Sequence, residues 1–165
     1  MIYRDIKFYL TNNGFSNSVF NLGFWSLLLY RLGHSMNGKF IYKLFFFWYA
    51  YIIARNLLII ISKIELPPSA KIGTNLNLVH SYGLVMGDKV IIGDNVTIGP
   101  WVVLGHNGKR DKQPEIGNGV YVGSKASILG GIKIGDFSIV STNAVVTIDI
   151  PERSIVKPAY CQISN

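Results

Sequence analysis

The chain has 165 residues, 49% hydrophobic and only 15% charged, so it can bury a core of its own as one domain with or without a helical extension. A single cysteine, Cys161, excludes an internal disulfide and a cysteine metal cluster and fits a reducing compartment; with three scattered histidines, no metal site is expected. The net charge of +7 sits unevenly: seven basic residues face one acid, Asp5, up to Lys63, and nine face eight acids thereafter. Basic residues flanking apolar runs fit a membrane surface rather than nucleic acid, which would be met by exposed basic clusters. The mean hydropathy of +0.31 points to apolar surface hidden in an oligomer or against a membrane.

The opening residues, "MIYRDIKFYLTNN", are polar and lack the apolar stretch of a cleavable signal. Residues 15–62 then carry apolar side chains at helical spacing, first in "SVFNLGFWSLLLYRLGHSM" and, after a break at "NGK" (37–39), in "FIYKLFFFWYAYIIARNLLIIIS". The second run has the length of a membrane span. However, Arg55 and Asn56 lie inside it and Lys43 near its start, and a charge near the centre of a span costs about 3 kcal/mol. That leaves helices packed in an oligomer, or lying in a membrane interface, ahead of a span. The stretch "ELPPSA" (65–70) ends the helical region, placed at 1–64, because two prolines cannot continue a helix.

From Pro68 onward an aliphatic residue recurs every six positions, usually followed by glycine: "IGTNLN" from Ile72, "LVHSYG" from Leu78 and, after a two-residue slip, "MGDKVI" from Met86. "IGDNVT", "IGPWVV" and "LGHNGK" follow, and the phase resumes from Ile116 through "VTIDIP" at Val146. A sustained six-residue period marks a parallel β-helix whose short faces stack their aliphatic residues inward. The chain is therefore expected to be mainly β, a hexapeptide-repeat parallel β-helix over 65–165 preceded by a short α-helical region. "NGKRDKQPE" (107–115) interrupts the phase with no aliphatic position and reads as a loop projecting from one coil, where binding residues collect. The segment from Glu152 leaves the repeat and caps the last coil.

The motifs "PPSAKIG", "LVHSYGLVMGD", "VVLGHNGK", "QPEIGNGVYVGSKASILGGIKIG" and "IPERSIVKPA" resemble the left-handed β-helix acyltransferases, and among them the serine acetyltransferase branch. The resemblance covers about residues 64–160. It implies a left-handed coil, a homotrimer, acetyl-CoA as co-substrate bound between adjacent β-helices, and direct transfer to a hydroxyl. By position, His80 would be the general base, in keeping with an imidazole that titrates near neutrality. Glu65 matches the family's assisting aspartate and Asp88 an acid near the same site. The family's pantetheine track matches "VGSKASILGG", which makes Gly123, Ser124, Ala126 and Gly130 donor-lining candidates. Lys109, Arg110, Lys125 and Lys157 are candidates for the phosphates and adenosine end. His106 stands where the family usually has glycine and is a candidate to line the site, while His34 matches a histidine of the helical region and reads as structural.

Three departures bear on the acceptor. Val79 replaces an aspartate before the histidine, Lys112 and Gln113 replace an arginine–histidine pair that helps to bind serine, and the helical region is reduced to about sixty residues. A site that loses groups pairing with a charged ligand loses preference for that ligand. The leading expectation is accordingly an acetyl-CoA-dependent O-acetyltransferase acting on a sugar or glycan hydroxyl in capsule, exopolysaccharide or lipopolysaccharide synthesis. It would work in the cytoplasm, at the inner membrane face if the helices touch lipid. The acceptor would meet Asp88, His106, Lys112 and Gln113. The alternatives are a serine O-acetyltransferase of cysteine biosynthesis and a non-catalytic β-helix scaffold. The ending "CQISN" does not finish in the isoleucine with which family members dock into the next enzyme of cysteine synthesis, so that partner is not expected.

Overall fold

The computed structural model describes residues 2–36, 45–108 and 112–159. Among these residues, α1 (Ile2–Val19, interrupted by a kink at Gly14 with φ 74° and ψ 164°), α2 (Leu22–Met36) and α3 (Phe45–Ser62) precede fourteen short strands, β1 (Ile64–Glu65) to β14 (Ile155–Val156). The break expected at 37–39 lies outside the described residues.

Every strand pair is parallel, and the strands form three sheets: β1-β4-β7-β10-β13, β11-β8-β5-β2 and β14-β12-β9-β6-β3. These are the three faces of a solenoid, as the six-residue period predicted. Each regular hexapeptide buries its first and fifth places, for example Ile92 with Val96, and Ile98 with Val102. The fourth place takes a left-handed backbone: Asn75, Asn95, Trp101, Lys125, Phe137 and Asn143 have φ between 57° and 61°. L-residues other than glycine and asparagine rarely adopt that conformation.

The register locates both irregularities of the repeat. Partners one coil apart differ by 18 positions where three hexapeptides close a turn (Leu84 with Val102, Ser127 with Val145). The offset is 20 across the coil holding His80 (Ile64 with Leu84) and 24 across the coil holding the loop (Val103 with Ser127). The two extra residues fall between Leu78 and Met86, so His80 stands on an insertion. The six extra residues fall between β7 (Val102–Gly105) and β8 (Glu115–Ile116), so the loop runs over 106–114 and Glu115 is already strand.

The helical region begins at Ile2 rather than at residue 15, and its two leading helices close the open end of the solenoid. The first coil has no coil beneath it, so its inward ladder groups need other partners. Tyr9 Oη accepts from Leu78 N–H at 3.2 Å, and Tyr30 Oη accepts from Ile72 N–H at 3.2 Å while donating to Ala70 O at 2.7 Å. Arg31 donates to the carbonyls of Ile72 (2.6 Å) and Gly73, and forms a buried pair with Asp5 at 2.8 Å. Asp5 also accepts from Asn75 N–H at 3.0 Å. Polar groups of the first two helices, Asp5, Tyr9, Tyr30 and Arg31, thus close the end of the solenoid. His34 is structural as expected, with Nδ1 2.7 Å from Pro68 O and its ring stacked on Tyr30. The third helix packs on α2 and β1 and leaves Tyr49, Ile53, Leu57, Ile60 and Ile61 exposed on one face. Among the described residues, no helix is long and apolar enough to cross a membrane.

Candidate active site

Most of the expected site residues that are described fall on two edges of the prism. One edge joins the β3-containing sheet to the β1-containing sheet. Along it run His80, then Trp101, Ser124 and Lys125, Asn143, and Lys157 in successive coils. The backbone ladder fixes that order: Trp101 N–H donates to the carbonyls of Tyr82 and Gly83, Lys125 N–H to Pro100 O at 2.9 Å, Asn143 N–H to Ser124 O at 3.0 Å, and Ser141 N–H to Val156 O at 2.9 Å.

His80 is exposed, with φ 50°, and makes no hydrogen bond or ion pair among the described residues. It is therefore not a buried histidine satisfied by its own chain. Its insertion is anchored on both sides. Ser81 Oγ lies 2.6 Å from Asn21 Oδ1 and 2.9 Å from Leu78 O, while Asn21 caps α2 by accepting from Phe24 N–H at 3.0 Å. Gly83 N–H donates to Ser62 O at 2.9 Å. A flat imidazole held on a fixed backbone, with its ring nitrogens open to solvent, suits proton transfer to an incoming substrate. Glu65 is exposed on β1, paired with Val85 in register, and no hydrogen bond or ion pair joins it to His80 among the described residues.

The second edge, at the far side of the β1-containing sheet, carries Asp88 and the loop. Gln113 is buried there: its Oε1 accepts from Lys89 N–H at 3.0 Å and its Nε2 donates to Asp88 Oδ1 at 2.8 Å. Asp88 and Gln113 therefore come together, but the Gln113 amide is spent on holding the loop to the coil below and its side chain does not face an acceptor. Lys112 is exposed and lies against Gly131, where an added Cβ would come within 2.6 Å of the Lys112 Cβ; Asn107 lies likewise on Gly130. His106 is exposed next to Asn107, and its Nδ1 accepts from Gly108 N–H at 3.1 Å, which leaves the proton of the neutral ring on Nε2. A cleft of about 320 Å³ opens beside the loop between Lys89, Ile91, Lys112, Gln113, Glu115 and Gly131.

The small-residue track is corrected in part. Ala126 points into the core with 0% exposure, because it occupies the fifth place of its hexapeptide, so only its backbone can face a ligand. Gly123 is buried under the next coil, where a Cβ would meet Thr142 N at 2.5 Å. Gly130 belongs to the loop edge. Ser124, Lys125 and Lys157 are on the His80 edge; Lys109 and Arg110 lie outside the described residues. Among the described residues there is no group of three metal-binding side chains.

The comparisons with known proteins decide the family. The bacterial transferase hexapeptide model (six repeats) matches residues 113–147. The serine acetyltransferase of Helicobacter pylori (strain ATCC 700392 / 26695) is 40% identical over 137 residues, which cover 80% of this chain and 75% of that protein. The chain belongs to the serine acetyltransferase family. The serine acetyltransferase of Salmonella typhimurium is 34% identical over 134 residues, covering 80% of this chain and 47% of its own length. Among solved structures, soybean serine acetyltransferase complexed with serine superposes with a TM-score of 0.77 at 30% identity, over 96% of this chain and 67% of that one. The Neisseria gonorrhoeae enzyme in complex with serine gives 0.78 at 26% identity, over 93% and 64%. The chain thus spans about two thirds of these solved chains and about half of the Salmonella relative.

The expectation of an acyltransferase of the hexapeptide-repeat class holds. The leading expectation for its acceptor does not: the relatives and structural neighbours are serine acetyltransferases, two of them solved with serine bound, which overturns the sugar or glycan acceptor. They are enzymes, which also disfavours the silent scaffold. Sequence reasoning passed over Tyr82 and Trp101, exposed on the His80 edge with ring centroids 5.2 Å apart. The available signal was a tryptophan at the fourth place of a hexapeptide, where the backbone favours asparagine or glycine.

Proposed function

We propose that the protein is a serine O-acetyltransferase that uses acetyl-CoA, acting in the cytoplasm as a homotrimer. The observation that carries this reading is the 40% identity to the H. pylori serine acetyltransferase over four fifths of the chain, together with an exposed, anchored His80. His80 takes the proton of the serine hydroxyl as that oxygen attacks the thioester carbonyl. The tetrahedral intermediate then expels the CoA sulfur, which leaves as the thiol once protonated; the products are O-acetylserine and CoA. The donor lies along the His80 edge with its phosphates toward Lys125 and Lys157.

The loop with His106 and Lys112, and Asp88 beside it, stands on a different edge from His80. In the trimer of this reading a neighbouring copy brings its loop edge to this chain's His80, with Asp88 and Lys112 matched to the ammonium and carboxylate of serine. Gln113 contributes by holding Asp88, and Glu65 assists His80 only if the assembly brings the two together. The test is thiol release from acetyl-CoA with free serine. Turnover by the wild type that falls at least 100-fold in His80→Ala supports the reading, and turnover that survives the substitution rejects His80 as the base.

A further inference from the structure

Trp101 holds a conformation that its side chain does not favour, and leaves its ring in the open. Its φ is 61° and its side chain is 51% exposed. A bulky residue in the left-handed region is a true outlier, and such strain persists where the surroundings or a function sustain it. The ring lies flat over Gly83, where an added Cβ would come within 2.6 Å of Trp101 Cε3, and Gly83 belongs to the same insertion that carries His80. Tyr82, three-fifths covered and also on that insertion, meets the Trp101 ring edge-on. Tyr82, two residues after His80 on the insertion, and Trp101, on the next coil, therefore form an aromatic pair on the edge that runs from His80 to Lys125.

Phe137 supplies an internal comparison. It has φ 58°, is exposed, and covers Gly119 in the same manner, with the Arg153 guanidinium 5.9 Å above its ring. Covering a glycine of the neighbouring coil is thus one use of an aromatic side chain at this place. Phe137, however, is on a different edge, away from His80, and has no second exposed ring against it among the described aromatic contacts. What sets Trp101 apart is its position in the order His80, Trp101, Lys125.

We infer that Tyr82 and Trp101 form an apolar wall for the thioester end of an acyl-coenzyme A donor, and that Trp101 limits the length of the acyl group. This rests on the proposed function, since it takes the donor to run from His80 toward Lys125. Aromatic faces bind thioester and pantetheine methylenes by dispersion and exclude water from the reacting carbonyl. A ring fixed by Gly83 cannot swing aside for a longer chain.

The test compares full-length wild type, Trp101→Ala, Tyr82→Ala and Phe137→Ala by calorimetric CoA binding, by initial rates with acetyl-CoA and propionyl-CoA, and by sedimentation. Trp101→Ala is expected to weaken CoA binding about tenfold, roughly the 1.4 kcal/mol of one decade. It should raise the KM for acetyl-CoA with the KM for serine within about twofold, and raise the propionyl-to-acetyl rate ratio. Phe137→Ala, with the same backbone strain, should change none of these. Equal CoA binding by wild type and Trp101→Ala overturns the inference. So does a loss of binding by Trp101→Ala that follows dissociation of the oligomer, which would make this face a contact between copies. If the wild type binds CoA at this wall but does not acetylate serine, the acceptor assignment fails and the wall stands; if it binds no CoA, both fall.

Discussion

Gln113 and Arg31 show what single side chains carry in this molecule. Arg31 is buried against Asp5 with both side chains at 2% exposure or less, and it also serves two carbonyls of the first coil. Removing one member of a buried pair leaves the other charge uncompensated, at a cost of about 3–5 kcal/mol. Arg31→Ala and Asp5→Ala should each lower the unfolding free energy by about that amount in urea titrations. Gln113→Ala removes two hydrogen bonds and should cost about 1–2 kcal/mol. By freeing Asp88 it should also raise the KM for serine more than it lowers kcat, whereas a purely structural role would leave the KM unchanged. The role of Gln113 was not legible in the sequence, because nothing there shows that its amide closes on Lys89 and Asp88 across a six-residue insertion.

Among the elements, α1 and α2 replace the coil that the first turn of the solenoid lacks. Burial pushes the Tyr9 phenol up to about 12; the Asp5 carboxylate adds to that rise and the hydrogen bond from Leu78 opposes it. Burial likewise raises Tyr30. A phenol whose folded value lies above the unfolded value of about 10 keeps its proton longer in the native state. Its contribution is therefore complete below pH ~10 and is lost as pH rises from there to about 12. Denaturant midpoints measured across pH 8–12 should be level at first and then fall. Tyr9→Phe, less stable by about 1 kcal/mol below pH ~10 for the lost partner of Leu78, should fall less steeply, so that the two proteins converge as pH approaches 12. The solenoid was legible because stacking demands the same residue class at the same place in every turn, so Ile72, Leu78, Ile92 and Ile98 repeat it. The start of α1 was not, because a cap is chosen to satisfy one particular end and leaves no period. The left-handed fourth place, held by asparagine at 75, 95 and 143 and by Trp101 in between, emerged only from the backbone.

For the whole molecule, the two edges that hold the candidate groups are separated by the width of the β1-containing sheet. The account therefore requires more than one copy at each reaction centre. The exposed face of α3 and the exposed Val85 and Val145 of that sheet are apolar surface that assembly can cover. Sedimentation should give a trimer at the concentrations where the enzyme works, with activity falling as dilution dissociates it. The most direct measurement of the central claim is acetyl-CoA consumption, followed by free thiol release, with L-serine as acceptor, in wild type and His80→Ala. The account predicts serine-dependent turnover in the wild type that drops at least 100-fold in a folded His80→Ala protein. Thiol release that does not depend on serine, or that the variant retains, would contradict it.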